Sequence, residues 1–268
     1  GTNYAREYFV SYPDSVIVCR FSANQKEKQN LRLVFRPNPE SYIEIKPIEK
    51  NEVLFYGRLK DNEMEFALRI RVKAKNGKVE INEKGEISVK GSDEVVFLLA
   101  GDTDYFMNFT PDFSDCNTYV GINPFETTKK TFERIEGLTY QDLKQRHLND
   151  YCNLFNRVEL NLNPNESFED LPTDQRLENY RKGKADYGLE ELYFQFGRYL
   201  TIASSRKGNL PANLQGIWAR GVDGAWRVDY HNNINLQMNY WLASPGNLLE
   251  CNQPLIDYIR TLVLPGEK

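Results

Sequence analysis

From about residue 15 to residue 99, apolar and polar positions alternate, most cleanly at Phe66, Leu68, Ile70, Val72 and Ala74. Successive side chains of an extended chain point to opposite faces, so this period of two predicts a half-buried strand. Asn76-Gly77 follows, and the alternation resumes at Val79 and Ile81. A tight primed turn needs positive φ at both central residues, which Asn and Gly tolerate, so the pair predicts a hairpin. Further strands are expected at 16–21, 31–35, 42–45, 53–56, 87–89 and 95–100, separated by Gly, Pro, Asn and Asp clusters. The pattern predicts an all-β sandwich.

After about Thr128 the period changes. Tyr140, Leu143, His147, Leu148 and Tyr151 recur mostly at steps of three and four, as on one face of a helix. Residues 160–174 read as a polar connector in which Pro164 and Pro172 block regular structure. Beyond it Leu189, Leu192, Tyr193, Phe196, Tyr199, Leu200 and Ala203 form a broad apolar stripe, the strongest helical signal in the chain. A second helix is expected from Asn235 through Met238 and Trp241 toward Ala243, stopped by Ser244-Pro245-Gly246. A third carries Leu255, Ile256, Ile259, Leu262 and Val263, with Pro254 in its first turn and Pro265-Gly266 past its end. The organisation is multidomain β plus α: 1–135 a β-sandwich domain, incomplete at its N-terminus; 136–185 a helical or irregular linker; 186–268 the start of a truncated helical domain. Helices with apolar faces this broad need partners, which suggests a piece of a longer protein.

Composition narrows the function. The 268 residues are 27% charged and 40% hydrophobic, the balance of a globular chain. The longest apolar run, 95–100, is far short of the ~18 residues of a spanning helix, so no membrane insertion is expected. A net charge of −4 and no Lys/Arg-dense block argue against a nucleic-acid partner. Cys19, Cys116, Cys152 and Cys251 lie far apart, without CxxC spacing, and only two histidines are present, so no metal site or cofactor is expected and the cysteines read as buried thiols. Aromatic residues at 13% fit either a large core or a sugar-stacking surface. The chain starts on Gly1, so the lack of a leader says nothing about compartment.

Candidate chemistry concentrates in residues 208–235, a long connection between the first two C-terminal helices. It holds the amides of Asn213, Gln215, Asn232, Asn233 and Asn235, the indoles of Trp218 and Trp226, His231, and the carboxylates of Asp223 and Asp229. Amides donate to and accept from vicinal hydroxyls, and indoles stack on the C–H face of a sugar. Asn233-Ile-Asn235 admits two readings. In an extended stretch at a helix start both amides share a direction while Ile234 packs inward; alternatively one Asn is simply an N-cap. Met238 and Trp241 read as core.

The stretch Pro211-Ala-Asn-Leu-Gln-Gly-Ile-Trp218, followed by His231-Asn-Asn-Ile-Asn-Leu-Gln-Met-Asn-Tyr-Trp241, resembles the start of the catalytic domain of glycoside hydrolase family 95, best known for α-L-fucosidases. Arg6-Glu-Tyr-Phe-Val-Ser-Tyr-Pro13 and Leu171-Pro-Thr-Asp-Gln-Arg-Leu177 are similar to that family as well. The resemblance implies part of a β-super-sandwich, a helical linker, and the first helices of an incomplete six-hairpin α/α toroid.

It also implies inversion, in which a protonated carboxyl serves the leaving oxygen while a water attacks from the opposite face of the ring. Family members orient that water with paired Asn amides, at positions matching Asn233 and Asn235, backed by a more distant Asp; an amide is too weak a base to keep the proton. His231, Gln215, Trp218 and Trp226 are the candidate substrate contacts, by their amide, indole and imidazole chemistry within this segment. Trp218 and Trp226 are stacking platforms or else toroid wall. His231 either borders the C5 substituent, favouring fucose over L-galactose, or bonds a loop carbonyl. No segment matches the family's general-acid Glu, so the isolated chain is expected to be inactive. Asp223, Asp229 and Glu250 are the nearby carboxylates, better read as loop or helix-end charges. The implied substrate is a fucosylated glycan with terminal, α-1,2-linked α-L-fucose, and the implied location secreted or periplasmic. The alternatives are an α-L-galactosidase of the same family and a non-catalytic carbohydrate-binding piece. A phosphorylase would need a phosphate cradle, and the Gly residues near Trp218 are not arranged as one.

Overall fold

The computed structural model describes residues 1–163, 168–219 and 224–267. The strands are β1 (Tyr4–Ser11), β2 (Val16–Ala23), β3 (Gln29–Leu33), β4 (Ser41–Glu49), β5 (Glu52–Leu59), β6 (Glu65–Lys75), β7 (Lys78–Ile81), β8 (Ile87–Ser92) and β9 (Glu94–Thr103). Six form one antiparallel sheet in the order β1-β2-β9-β6-β5-β4, and three form another, β3-β8-β7. The β6–β7 hairpin turns on Asn76 and Gly77 at φ 61° and 76°, the left-handed pair that the dipeptide predicts.

The sheets face each other across Val53, Phe55, Ile70, Val72, Val95 and Phe97 on one side and Ile87 and Val89 on the other. The other face of the large sheet buries Val16, Val18, Val96, Leu98 and Ala100 under Phe132 and Leu143. These come from helices α1 (Pro124–Arg134) and α2 (Tyr140–Phe155). Strand β9 is therefore covered on both faces, which is why 95–100 contains no polar residue. Strand β6 departs from the half-buried expectation. Its polar face is also covered: Arg69 and Glu52 are 4% and 2% exposed and bonded at 2.6 Å. Arg71 bonds the same carboxylate and lies over the Phe132 ring. Charge pairing lets a polar register sit under a helix.

Strand β1 and helix α1 lie outside the sequence expectations. In β1 the side chains of Tyr4, Tyr8 and Val10 are exposed at the sheet edge, so hydrophobicity alone gives no inward face. Helix α1 begins on Asn123, whose side chain accepts from the Phe125 N–H at 2.8 Å, with Pro124 in the first turn. That Asn-Pro pair is a start signal.

Glu7 of β1 takes Arg20 of β2 at 2.6 Å and also bonds Lys144 of α2. Lys144, and then Arg20, lower its carboxyl from 4.5 to about 2. A depressed carboxyl stabilises the fold fully above its unfolded pKa, and the contribution disappears as pH falls from about 4.5 toward 2. Glu7→Gln is accordingly expected to lose on the order of 1 kcal/mol in urea unfolding at pH 7, after solvent screening. The difference from the parent should close by the acid end of that window.

The chain divides into compact units Gly1–Asp150 and Tyr151–Lys268. The second contains α3 (Thr173–Arg181), α4 (Tyr187–Ser204), α5 (Asn235–Tyr240), α6 (Gln253–Thr261) and α7 (Val263–Gly266). Helix α3 starts immediately after Pro172, at the end of the stretch read as a polar connector and within the 136–185 segment read as helical or irregular. Arg176 pairs with Asp186 at 2.7 Å, and Asp186 also caps α4 through the Leu189 N–H. That pair anchors the end of α3's first turn to the start of α4, a contact which local composition does not reveal.

Two small cores hold this unit. One joins Leu154, Ile202, Leu248 and Cys251; the other joins Ala212, Leu236 and Tyr240 with Tyr230, Leu255 and Tyr258. The apolar stripe of α4 is only partly used, since Leu192, Tyr193, Phe196 and Tyr199 are exposed. Met238 and Trp241, expected in the core, are 51% and 61% exposed because the buried side of α5 is Leu236 and Tyr240. Pro265-Gly266 sits within the short α7 rather than beyond the last helix. The cysteines are not uniformly buried: Cys251 is, Cys19 and Cys152 are half-buried, and Cys116 lies exposed in a loop. The helices among the described residues do not make up the six hairpins of a toroid.

Candidate functional site

Residues 208–235 are described apart from 220–223, so Asp223 lies outside the described residues. The first half folds on itself: Asn213 and Gly216 exchange backbone hydrogen bonds of 3.1 and 3.0 Å. Gly216 has φ +69°, and a Cβ there would meet the Trp218 ring at 2.8 Å. Both facts require glycine between Gln215 and Trp218. Trp218 is about half exposed, and its N–H donates to the Gln215 carbonyl.

Gln215 ties the two halves together. Its Nε2 donates to the Ala225 carbonyl at 3.1 Å, while its Oε1 is buried without a partner among the described residues. Next to Ala225 the Trp226 ring stands edge-on to His231, centroids 5.5 Å apart, and His231 Nε2 lies 3.9 Å from Asp229 Oδ2. Trp226 is 73% exposed. Contacts thus join Gln215 to Trp218 and to Ala225, and separately Trp226 to His231, with Ala225 and Trp226 adjacent in the chain.

Asn233 and Asn235 sit where the segment enters α5. Residues 232–234 form a turn rather than an extended strand, with Ile234 at φ −165° and ψ −33°. The expectation that Ile234 packs inward is corrected, because it is 43% exposed. The capping alternative fails too. The N-cap position belongs to Ile234, and no side chain caps the helix. Asn233 and Asn235 are both exposed, and neither side-chain amide has a hydrogen-bond partner among the described residues. Among the described residues, no hydrogen bond or cap accounts for them.

Other residues, not singled out by sequence, dock the loop on this helix. Tyr240 accepts the Ala212 N–H at 2.8 Å and pairs with Ser205 Oγ at 3.0 Å. Asn239 Nδ2 donates to the carbonyls of Asn213 at 2.9 Å and Ala212 at 3.3 Å, and Tyr230 donates to Pro211. The four-residue step from Asn235 to Asn239 was the available signal, since it puts both on one helix face.

Of the nearby carboxylates, Glu250 is not set up as an acid. Glu250 is bonded to Arg157 at 2.7 Å. Its own backbone N–H first, and Arg157 besides, hold its carboxyl below the usual range, the wrong direction for a proton donor near neutrality. A cleft of about 460 Å³ lined by Glu159, Glu169, Arg176, Glu191 and Gln195 takes no residue from 208–235.

Comparison with known proteins gives these features a context. Residues 139–268 match the glycosyl hydrolase family 95 catalytic domain, and residues 1–108 match the N-terminal domain of glycosyl hydrolase family 65. The second match covers the nine strands of the stacked sheets. The chain is 33% identical over its full length to alpha-L-fucosidase 2 of Arabidopsis thaliana, covering 34% of that protein. It is also 33% identical over 98% of its length to a probable alpha-fucosidase A of Aspergillus niger, covering 33% of it, and 32% identical over 67% to the Aspergillus oryzae counterpart, covering 25%. The chain thus spans about a third or less of the length of these relatives. The amide- and indole-bearing segment falls inside the catalytic-domain match, and the stacked sheets precede it in chain order; the chain belongs to glycosyl hydrolase family 95.

Proposed function

We propose that this chain is part of an inverting glycoside hydrolase that removes terminal α-L-fucose, α-1,2-linked, from glycans, and that Asn233 and Asn235 orient the attacking water. The observation that carries the reading is the pair of exposed side-chain amides at the start of α5, free of the capping duty that would otherwise explain them. The relatives named as fucosidases support the sugar.

In the proposed reaction the water oxygen bonds to the anomeric carbon as the bond to the leaving oxygen breaks. A carboxylic acid protonates that oxygen, and the water's proton passes to a carboxylate base. The amide oxygens of Asn233 and Asn235 accept hydrogen bonds from the water and fix its line of attack without keeping the proton. The acid is expected from a part of the protein beyond these residues, so the isolated 268-residue chain is expected to be inactive. Gln215, Trp218, Trp226 and His231 bind the sugar. The bulk of His231 against Trp226 fits the C5 methyl of fucose better than the hydroxymethyl of L-galactose. A fucosylated glycan outside the cytoplasm, secreted or periplasmic, is the matching setting.

The test is the anomer first released. Full-length protein incubated with an α-1,2-fucosylated glycan is expected to give β-L-fucose in early proton NMR spectra. Initial α-L-fucose means retention and overturns the role given to the water, and glycan bound but left uncleaved means a binding protein instead.

A further inference from the structure

We propose that Asn239 is a positioning residue for the sugar site, holding the loop that bears Gln215 and Trp218 in register with Asn235. The inference rests on the site reading above and extends it to a residue that touches neither water nor sugar. Helix α5 is only six residues long, and its first and fifth residues, Asn235 and Asn239, lie one turn apart on the same face. At one end the amide of Asn235 has no partner among the described residues. At the other end the amide of Asn239 is committed: one NH₂ group bridges two successive carbonyls, Ala212 at 3.3 Å and Asn213 at 2.9 Å.

That bridge fixes more than a contact. Only the NH₂ side of a carboxamide can serve two carbonyls, so the orientation of the Asn239 side chain is set. Asn213 is also the residue whose backbone closes the turn onto Gly216 and whose Oδ1 accepts the Gln215 N–H at 2.9 Å. The chain of bonds therefore runs from α5 through Asn239 to Asn213, and from there to Gln215 and Trp218. Tyr240 anchors the adjacent Ala212 N–H from the buried side of the helix. The division of labour is legible in burial: Tyr240 is 5% exposed and belongs to the core, whereas Asn239 is exposed, where a structural amide gains little because water competes for it. A bridge kept at a wet position is explained by the register that it sets.

Asn239→Asp is the discriminating change, because it preserves size and removes the donors that two carbonyls require. In the full-length protein it is expected to raise KM for the fucosylated glycan about tenfold, with kcat altered less than about threefold, as for lost hydrogen bonds that place binding groups. Asn239→Ala should do the same, and the melting temperature of both should stay within about 2 °C of the parent, as for an exposed substitution. Unchanged KM in both variants overturns the inference, and so does a loss of activity that merely follows a loss of melting temperature. The two readings fail separately. If Asn233→Ala and Asn235→Ala lose kcat while Asn239→Asp keeps its KM, only the present inference falls. If those two variants keep kcat while Asn239→Asp raises KM, the water-orienting role falls and the loop-positioning role stands.

Discussion

Replacing Asn233 or Asn235 by alanine in the full-length protein is expected to lower kcat on a fucosylated glycan by about 10²-fold or more, with KM nearly unchanged. The size follows from what the amides are proposed to do. Misplacing a reacting group by about 1 Å can cost 10²-fold, and without its acceptors the water has no fixed line of approach. The direction follows from where they act: a group that holds only the water leaves the binding of the sugar untouched, so the loss falls in kcat. Because two acceptors orient one molecule, the double variant should fall little further than the worse single one. Stability should not move, since both residues are exposed and neither amide is bonded among the described residues. Activity within threefold of the parent in both single variants overturns the role.

The water-orienting role is what the family resemblance implies, and the backbone around these residues shows how much a local pattern can carry. The spacing of two amides around one isoleucine was legible as a local pattern, but the backbone that presents them was not. An extended stretch and a turn place Ile234 differently, and the structure has the turn, with Ile234 open to solvent. The β-rich part was more legible because its signals are short-range. Asn76-Gly77 specifies its own φ values, and 95–100 is apolar throughout because β9 is covered on both sides. What escaped depends on exposure and pairing that the local pattern does not specify. The outward side of β1 carries exposed Tyr and Val, α3 is held by an ion pair to Asp186, and the polar face of β6 is buried by pairing Arg69 with Glu52. The same is true of Asn239, whose partners lie 26 and 27 residues away.

Arg198 is the extreme of that class, and it carries the largest stability effect expected here. This side chain, not singled out by sequence within the apolar helix, is fully buried. Its Nε donates to the Gly246 carbonyl at 3.0 Å, its Nη1 to Phe155 at 2.7 Å and to Val158 at 3.2 Å, and its Nη2 to Leu154 at 3.0 Å. Leu154 and Phe155 end helix α2, where the last carbonyls lack intrahelical partners and carry the negative end of the helix dipole. One planar cation on α4 thus closes the end of α2, the segment after it and the turn after α5. Burial pulls its pKa below the usual arginine value, but carbonyls arranged around it make the charged form the useful one. Arg198→Leu removes every donor at once and leaves the Gly246 and Phe155 carbonyls without one among the described residues, while Val158 keeps Gln195 Nε2 and Leu154 keeps the Arg157 N–H. At about 1–3 kcal/mol for each unsatisfied buried group, partly offset by apolar packing, the net cost should be on the order of 4 kcal/mol. That corresponds to a fall of about 10 °C in melting temperature for a domain of this size. Arg198→Lys keeps the charge but cannot span partners on three sides, so about half that loss is expected. The order Arg, Lys, Leu in thermal unfolding is the diagnostic outcome. If leucine melts within 2 °C of the parent, the carbonyls have found other donors and Arg198 does not hold these elements together.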